Sequence, residues 1–121
     1  MSENIKEATL VEKELSWHEV GTKSDFPGNA GRCAKIEGKQ IAIFYFKTQD
    51  KWYACQNLCP HKQEMVLARG LIGDKNGIPK VACPLHKNNF SLIDGSNLNG
   101  DLPDINTFPV KVVDDIVYLG L

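Results

Sequence analysis

The sequence predicts an all-β domain, an antiparallel sandwich or barrel of short strands. Three observations predict it. No segment of the 121 residues sustains an apolar period of 3.6, so no long amphipathic helix is expected. Short runs of β-branched and aromatic residues recur, the strongest being Ile41 to Lys47. Turn-forming clusters punctuate them: Glu37-Gly38-Lys39, Thr48 to Lys51, Asp74 to Pro79 and Asp114-Asp115.

Residues 1–14 are polar and read as a loose, flexible tail, leaving one domain over residues 15–121. Ordered structure is expected to begin near Leu15 to Val20. The stretch Gly21 to Gly31 holds three glycines and a proline and reads as loop. Arg32 to Ile36 is the next expected strand. Ile41 to Lys47 carries apolar residues on both alternating faces, so it is expected at the centre of a sheet, buried on both sides. Trp52 to Gln56 pairs back on it as a hairpin. Further strands are expected at Gly70 to Gly73, Lys80 to Ala82, Asn89 to Leu92, Thr107 to Val113 and Ile116 to Leu119. At most one helical turn fits, around Lys62 to Ala68.

Lysine plus arginine number 14 and aspartate plus glutamate 15, giving a net charge of −1. That balance provides no charge excess for nucleic acid or an anionic membrane. The first residues carry acids and no apolar h-region, unlike a secretory signal. The longest apolar run, Ile41 to Phe46, is too short to span a bilayer. A cytoplasmic location follows as an expectation, and a reducing compartment favours a metal or redox site over disulfides for the four cysteines.

Two motifs carry the chemistry. Cys59-Pro60-His61 and Cys83-Pro84-Leu85-His86 each place a thiol and an imidazole within a few residues. Twenty-one residues separate them, enough for a strand, a turn and a return strand that would bring both to one end of a sheet. Pro60 and Pro84 follow the cysteines and fix φ, which stiffens both loops. Two cysteines and two histidines suit a two-iron cluster, with both thiolates on one iron and both imidazoles on the other. They could also hold zinc tetrahedrally, although neither the C-x-x-C nor the H-x-x-x-H pairing of common zinc fingers occurs. A Cys59–Cys83 disulfide would leave both histidines unexplained. Cys55 reads as a buried thiol in a strand, with a cluster-supporting role four residues before Cys59 as the alternative, and His18 as a surface or core histidine. Trp52 and Tyr53 read as core residues by strand alternation.

The C-x-H and C-x-x-H pair resembles the Rieske [2Fe–2S] family. The resemblance implies a Rieske-type fold with two cluster-binding loops at one end, and Cys59, His61, Cys83 and His86 as ligands. Neutral imidazoles in place of two thiolates raise the potential of such clusters to roughly −150 to +300 mV. High-potential members carry an extra cysteine in each loop, and a serine and a tyrosine after the second histidine. Here the loops hold no spare cysteine, and Asn88 and Phe90 occupy those places. Fewer hydrogen-bond donors to the cluster imply the low-potential end of the range.

The wider block, Ala68-Arg69-Gly70-Leu71-Ile72-Gly73 and then Lys87-Asn88-Asn89-Phe90-Ser91-Leu92, resembles the small subunit of NAD(P)H-dependent assimilatory nitrite reductase. That likeness implies an electron-transfer subunit without a substrate pocket of its own. Its partner would be a large flavin- and sirohaem-containing subunit that reduces nitrite to ammonium. A stand-alone Rieske ferredoxin serving an oxygenase, or a zinc-bound or metal-free interaction module, are the alternatives. Lys62 and Lys87 read as loop lysines or as a positive collar for an acidic partner. Leu58 and Leu85 are expected to shield the cluster, and Arg69 to anchor the loop joining the motifs.

Overall fold

The structure is a computed structural model that describes residues 16–60, 64–85, 88–99 and 103–121. The expected tail, and His61, Lys62, His86 and Lys87, lie outside the described residues. The strands are β1 (Trp17–Thr22), β2 (Ala30–Ile36), β3 (Lys39–Phe46), β4 (Lys51–Gln56), β5 (Leu58–Cys59) and β6 (Glu64–Met65). They continue as β7 (Leu71–Lys75), β8 (Ile78–Ala82), β9 (Asn89–Ser91), β10 (Thr107–Phe108), β11 (Val110–Val113) and β12 (Ile116–Gly120). Short 3-10 turns occupy Lys23–Asp25 and Leu67–Arg69. No helix among the described residues is long and apolar enough to cross a membrane.

The strands form antiparallel sheets of order β1-β12-β11, β10-β4-β3-β2, β5-β6 and β7-β8-β9. As its two apolar faces predict, β3 lies inside its sheet, paired with β2 on one side and β4 on the other. Successive side chains of a strand point to opposite faces, and β3 uses this to divide the interior. Ile41 and Ile43 enter one core with Phe26, Ala54, Val117 and Leu119. Ala42, Phe44 and Phe46 enter the other with Cys55, Cys59, Cys83 and Phe90. The β3–β4 register places Ala42 opposite Cys55 and Ile43 opposite Ala54, so β4 is divided in the same way.

The expected strand over Thr107 to Val113 is two strands. Pro109 has no N–H for a ladder. Before it, Thr107 and Phe108 pair with Cys55 and Ala54 of β4; after it, Val110 to Val113 pair with β12. The expected turn over Asp74 to Pro79 is shorter. Asn76 and Gly77, with φ of 54° and 84°, suffice to reverse the chain, and both flanking strands run into the cluster of turn residues. The stretch Gly21 to Gly31 holds the end of β1, a 3-10 turn and the start of β2 as well as loop. The one helical turn expected near Lys62 to Ala68 is the 3-10 turn at Leu67–Arg69.

That turn is pressed against the central sheet. A Cβ at Gly31 of β2 would lie 2.5 Å from the carbonyl oxygen of Ala68 and 2.5 Å from the Phe44 ring. Only glycine permits this approach. The contact fixes the downstream end of the segment that carries Cys59.

Candidate metal centre

Each motif sits where a ladder hands over to a loop. Cys59 is the last residue of β5 and pairs with Glu64 of β6, so the ladder closes a hairpin around positions 60–63. Cys83 follows β8 directly, and its N–H donates to the carbonyl of Asn88 at 2.9 Å. Ala82 and Asn89 pair across β8 and β9 one step further out, so this ladder closes a loop around positions 84–87. By sequence, His61 falls within the first loop and His86 within the second. The β7–β8 hairpin lies between the two loops, as the spacing of the motifs predicts.

Both thiols face inward. Cys59 is 0% and Cys83 1% exposed, and both belong to the same core as Phe44 and Phe90. No disulfide joins any pair of the four cysteines. Cys55, on β4, is a small apolar filler of that core, and burial pushes its thiol up to about 12. Cys33 lies exposed on edge strand β2, and partial burial of its sulfur raises its thiol from the ordinary value. His18 is placed on β1 with Nε2 3.4 Å from Glu37 Oε1, away from either motif in sequence. Trp52 packs against the core of Ile41 and Ile43, and Tyr53 against the core of Phe44 and Phe90, as strand alternation predicts.

The backbone around both loops is braced by polar side chains. Asn57, Asn88 and Ser91 are the buried polar side chains among the described residues, and all three flank the motifs. Gln56 Nε2 donates to the carbonyl of Leu58 at 2.7 Å, next to Cys59. Asn99 Oδ1 accepts the Asn89 N–H at 2.8 Å, and Lys80 Nζ donates to Asn89 Oδ1 at 2.7 Å. The sequence offers little sign of Gln56, Asn57, Lys80 and Asn99 as braces. The first three are polar residues within three positions of a proposed ligand, and Asn99 lacks even that signal. Leu85, expected to shield the site, is 48% exposed, and Met65 is 47% exposed, so both present apolar surface beside the motifs. Arg69 ends the 3-10 turn with an exposed side chain.

The residues present fit an iron–sulfur cluster. Two buried thiols on two closed loops, sharing one apolar core, supply soft anionic donors in a site shielded from water. The fold agrees with known proteins. The family model of the Rieske-like [2Fe–2S] domain matches residues 16–120. The chain belongs to that family. The cofactor of this Rieske-like domain is accordingly a Rieske-type [2Fe–2S] cluster.

The Rieske-like domain is 33% identical to the nitrite reductase (NADH) small subunit of Salmonella typhimurium, over 85% of this chain and 95% of that protein. It is 38% identical to part of the nitrite reductase [NAD(P)H] large subunit of Klebsiella oxytoca. The match takes in 86% of this chain but only 11% of that protein, so the chain spans about a tenth of its length. Among solved structures, the NMR structure of the Escherichia coli protein NirD superposes with a TM-score of 0.77 at 30% identity, covering 88% of this chain and 97% of that one.

Proposed function

We propose that the chain is the small electron-transfer subunit of an NAD(P)H-dependent nitrite reductase, with its [2Fe–2S] cluster held by Cys59, His61, Cys83 and His86. One observation carries the ligand set. Two ladders close two loops on a single core, each loop beginning with a buried cysteine and containing one histidine. The placement of Cys59 and Cys83 supports both thiolates on one iron, and His61 and His86 complete the set on the other. The cluster supplies one-electron transfer when bound.

The chain's own residues do the rest. The thiols anchor the site in apolar surroundings, where water has little access. Leu85 and Met65 offer an apolar rim for a partner to cover. The partner proposed is a large flavin- and sirohaem-containing subunit that reduces nitrite to ammonium. A domain that matches a whole small subunit and also a tenth of a longer reductase supports that partnership. The single domain over residues 15–121 and a cytoplasmic location accompany this reading.

The test has two stages. Iron and acid-labile sulfide should be present in equal amounts, and dithionite-reduced protein should give a paramagnetic resonance signal with average g below 2. Zinc in place of iron would overturn the cluster. Co-expressed large subunit should then co-purify with the chain, and NAD(P)H-driven nitrite reduction should depend on it. Retention of the cluster with full reductase activity in the chain's absence would overturn the subunit assignment alone.

A further inference from the structure

Asn57 is 3% exposed and lies two residues before Cys59, where β4 gives way to β5. Its bonds run to both sides of that junction. Its N–H donates to the carbonyl of Gln40 at 3.1 Å, and its carbonyl accepts from the N–H groups of Val66 and Leu67, both at 3.0 Å. Its side-chain Oδ1 accepts the N–H of Ala68 at 2.7 Å. Its Nδ2 donates to Gln40 Oε1 at 3.1 Å and to Cys33 Sγ at 3.6 Å. Thus the residue entering the first loop is tied directly to residues 66–68 leaving it, and both are tied to β2 and β3.

We propose that Asn57 is a positioning residue for the cluster, a latch that holds Cys59 and residues 66–68 on the central sheet. The inference rests on the ligand set proposed above. The physical reason is the asymmetry of buried hydrogen bonds: removing one partner strands the other without water, which costs far more than the bond itself contributes. Truncation at Asn57 would strand the N–H of Ala68, which Gly31 allows to press against the sheet. Residues 66–68 would relieve that cost by moving off the sheet toward solvent, and that movement exposes Cys59. A side chain that only filled space would have no such directional effect. The many bonds from one residue also rigidify this junction, because each fixes the geometry of the next.

The experiment compares iron release to a chelator in the loaded full-length chain. Asn57→Ala should release iron about ten-fold faster than the parent, the factor expected for one stranded buried donor. Val117→Ala, in the other core, is the stability control and should release iron at the parent rate. Asn57→Asp keeps an oxygen for the Ala68 N–H and should restore most of the retention. Iron-loaded Asn57→Ala should also show shifted g values in the reduced state, while Val117→Ala matches the parent. If Asn57→Ala fails to fold, Gln40→Ala removes one of the two side-chain partners of Nδ2 and should release iron about three-fold faster, a fraction of the same cost. Release at the parent rate in whichever of these two variants folds would overturn the latch, as would equal acceleration in Val117→Ala. A parent chain that holds no iron and sulfide would instead overturn the cluster reading itself.

Discussion

The backbone N–H of Cys83 donates to the carbonyl of Asn88 at 2.9 Å, so the second motif is pinned at both ends regardless of what side chain stands between them. His86→Cys should therefore keep the loop closed while exchanging a neutral imidazole for a thiolate. The extra negative charge disfavours adding an electron, so the reduction potential should fall. A redox titration of the variant checks this. An unchanged or higher potential in a loaded variant would remove His86 from the ligand set.

The parent potential should fall as the medium becomes alkaline. Oxidised iron withdraws more electron density from its imidazole ligands, so the oxidised form loses a ring proton at lower pH than the reduced form does. Proton loss then stabilises the oxidised form. Voltammetry from neutral to strongly alkaline pH should give a potential that is level at first and then declines. A level response throughout would count against histidine ligation.

Phe90 is fully buried in the core that holds Cys59 and Cys83, and it has no hydroxyl to donate. Phe90→Tyr should raise the potential if the new hydroxyl reaches a cluster sulfur, since each donor stabilises the more negative, reduced state. The comparison is between loaded parent and loaded variant in the same buffer. A lower potential in Phe90→Tyr would overturn the expectation that missing hydrogen-bond donors hold the potential low.

Gly31→Ala should destabilise the domain by about 1–3 kcal/mol, the usual cost of forcing a methyl into filled space. The added carbon would meet both the Ala68 carbonyl and the Phe44 ring. Thermal unfolding checks the loss. Gly77→Ala is the comparison: an added carbon there meets no atom within 4 Å, and its strain comes from a φ of 84° alone. A smaller loss at Gly31 than at Gly77 would contradict the close approach.

Thiol reactivity should separate the cysteines. Cys33 is exposed and should be alkylated in the native chain, though slowly at neutral pH because its thiol is raised above the ordinary value. The rate should climb as alkaline pH generates more thiolate. Cys55, buried and held protonated to about 12, should react only after denaturant is added. Mass spectrometry of peptides after timed labelling distinguishes the two. Native labelling of Cys55 ahead of Cys33 would place the thiols the wrong way round.

Much of this was legible where the signal is local. The two apolar faces of β3 mark a central strand because burial on both sides requires them. Asp114-Asp115, with φ of 52° and 64°, reverses the chain where two acids in a row predict a turn. Cys59 and Cys83 stand out because residue type alone limits what they can bind. The division of Thr107 to Val113 was not legible, since Pro109 shows a break but not which sheet each half joins. Asn57 was invisible for a related reason. Its importance lies in bonds to Gln40, Val66, Leu67 and Ala68, and nothing in its immediate neighbours predicts those partners.

The ends of the described domain meet. Ser16 and Leu121 exchange backbone hydrogen bonds, N–H to carbonyl in both directions, at 3.0 and 3.1 Å. They extend the β1–β12 ladder, whose Val117 and Leu119 serve the core without the cysteines. A polypeptide entering at residue 16 and leaving at residue 121 thus does so through a single doorway, and Cys59 and Cys83 belong to the other core. Such a unit can be spliced onto a longer protein or cut free from it with little rearrangement of its interior. The same domain occurring as a whole small subunit in one relative and as a tenth of a larger chain in another is what that modular geometry permits.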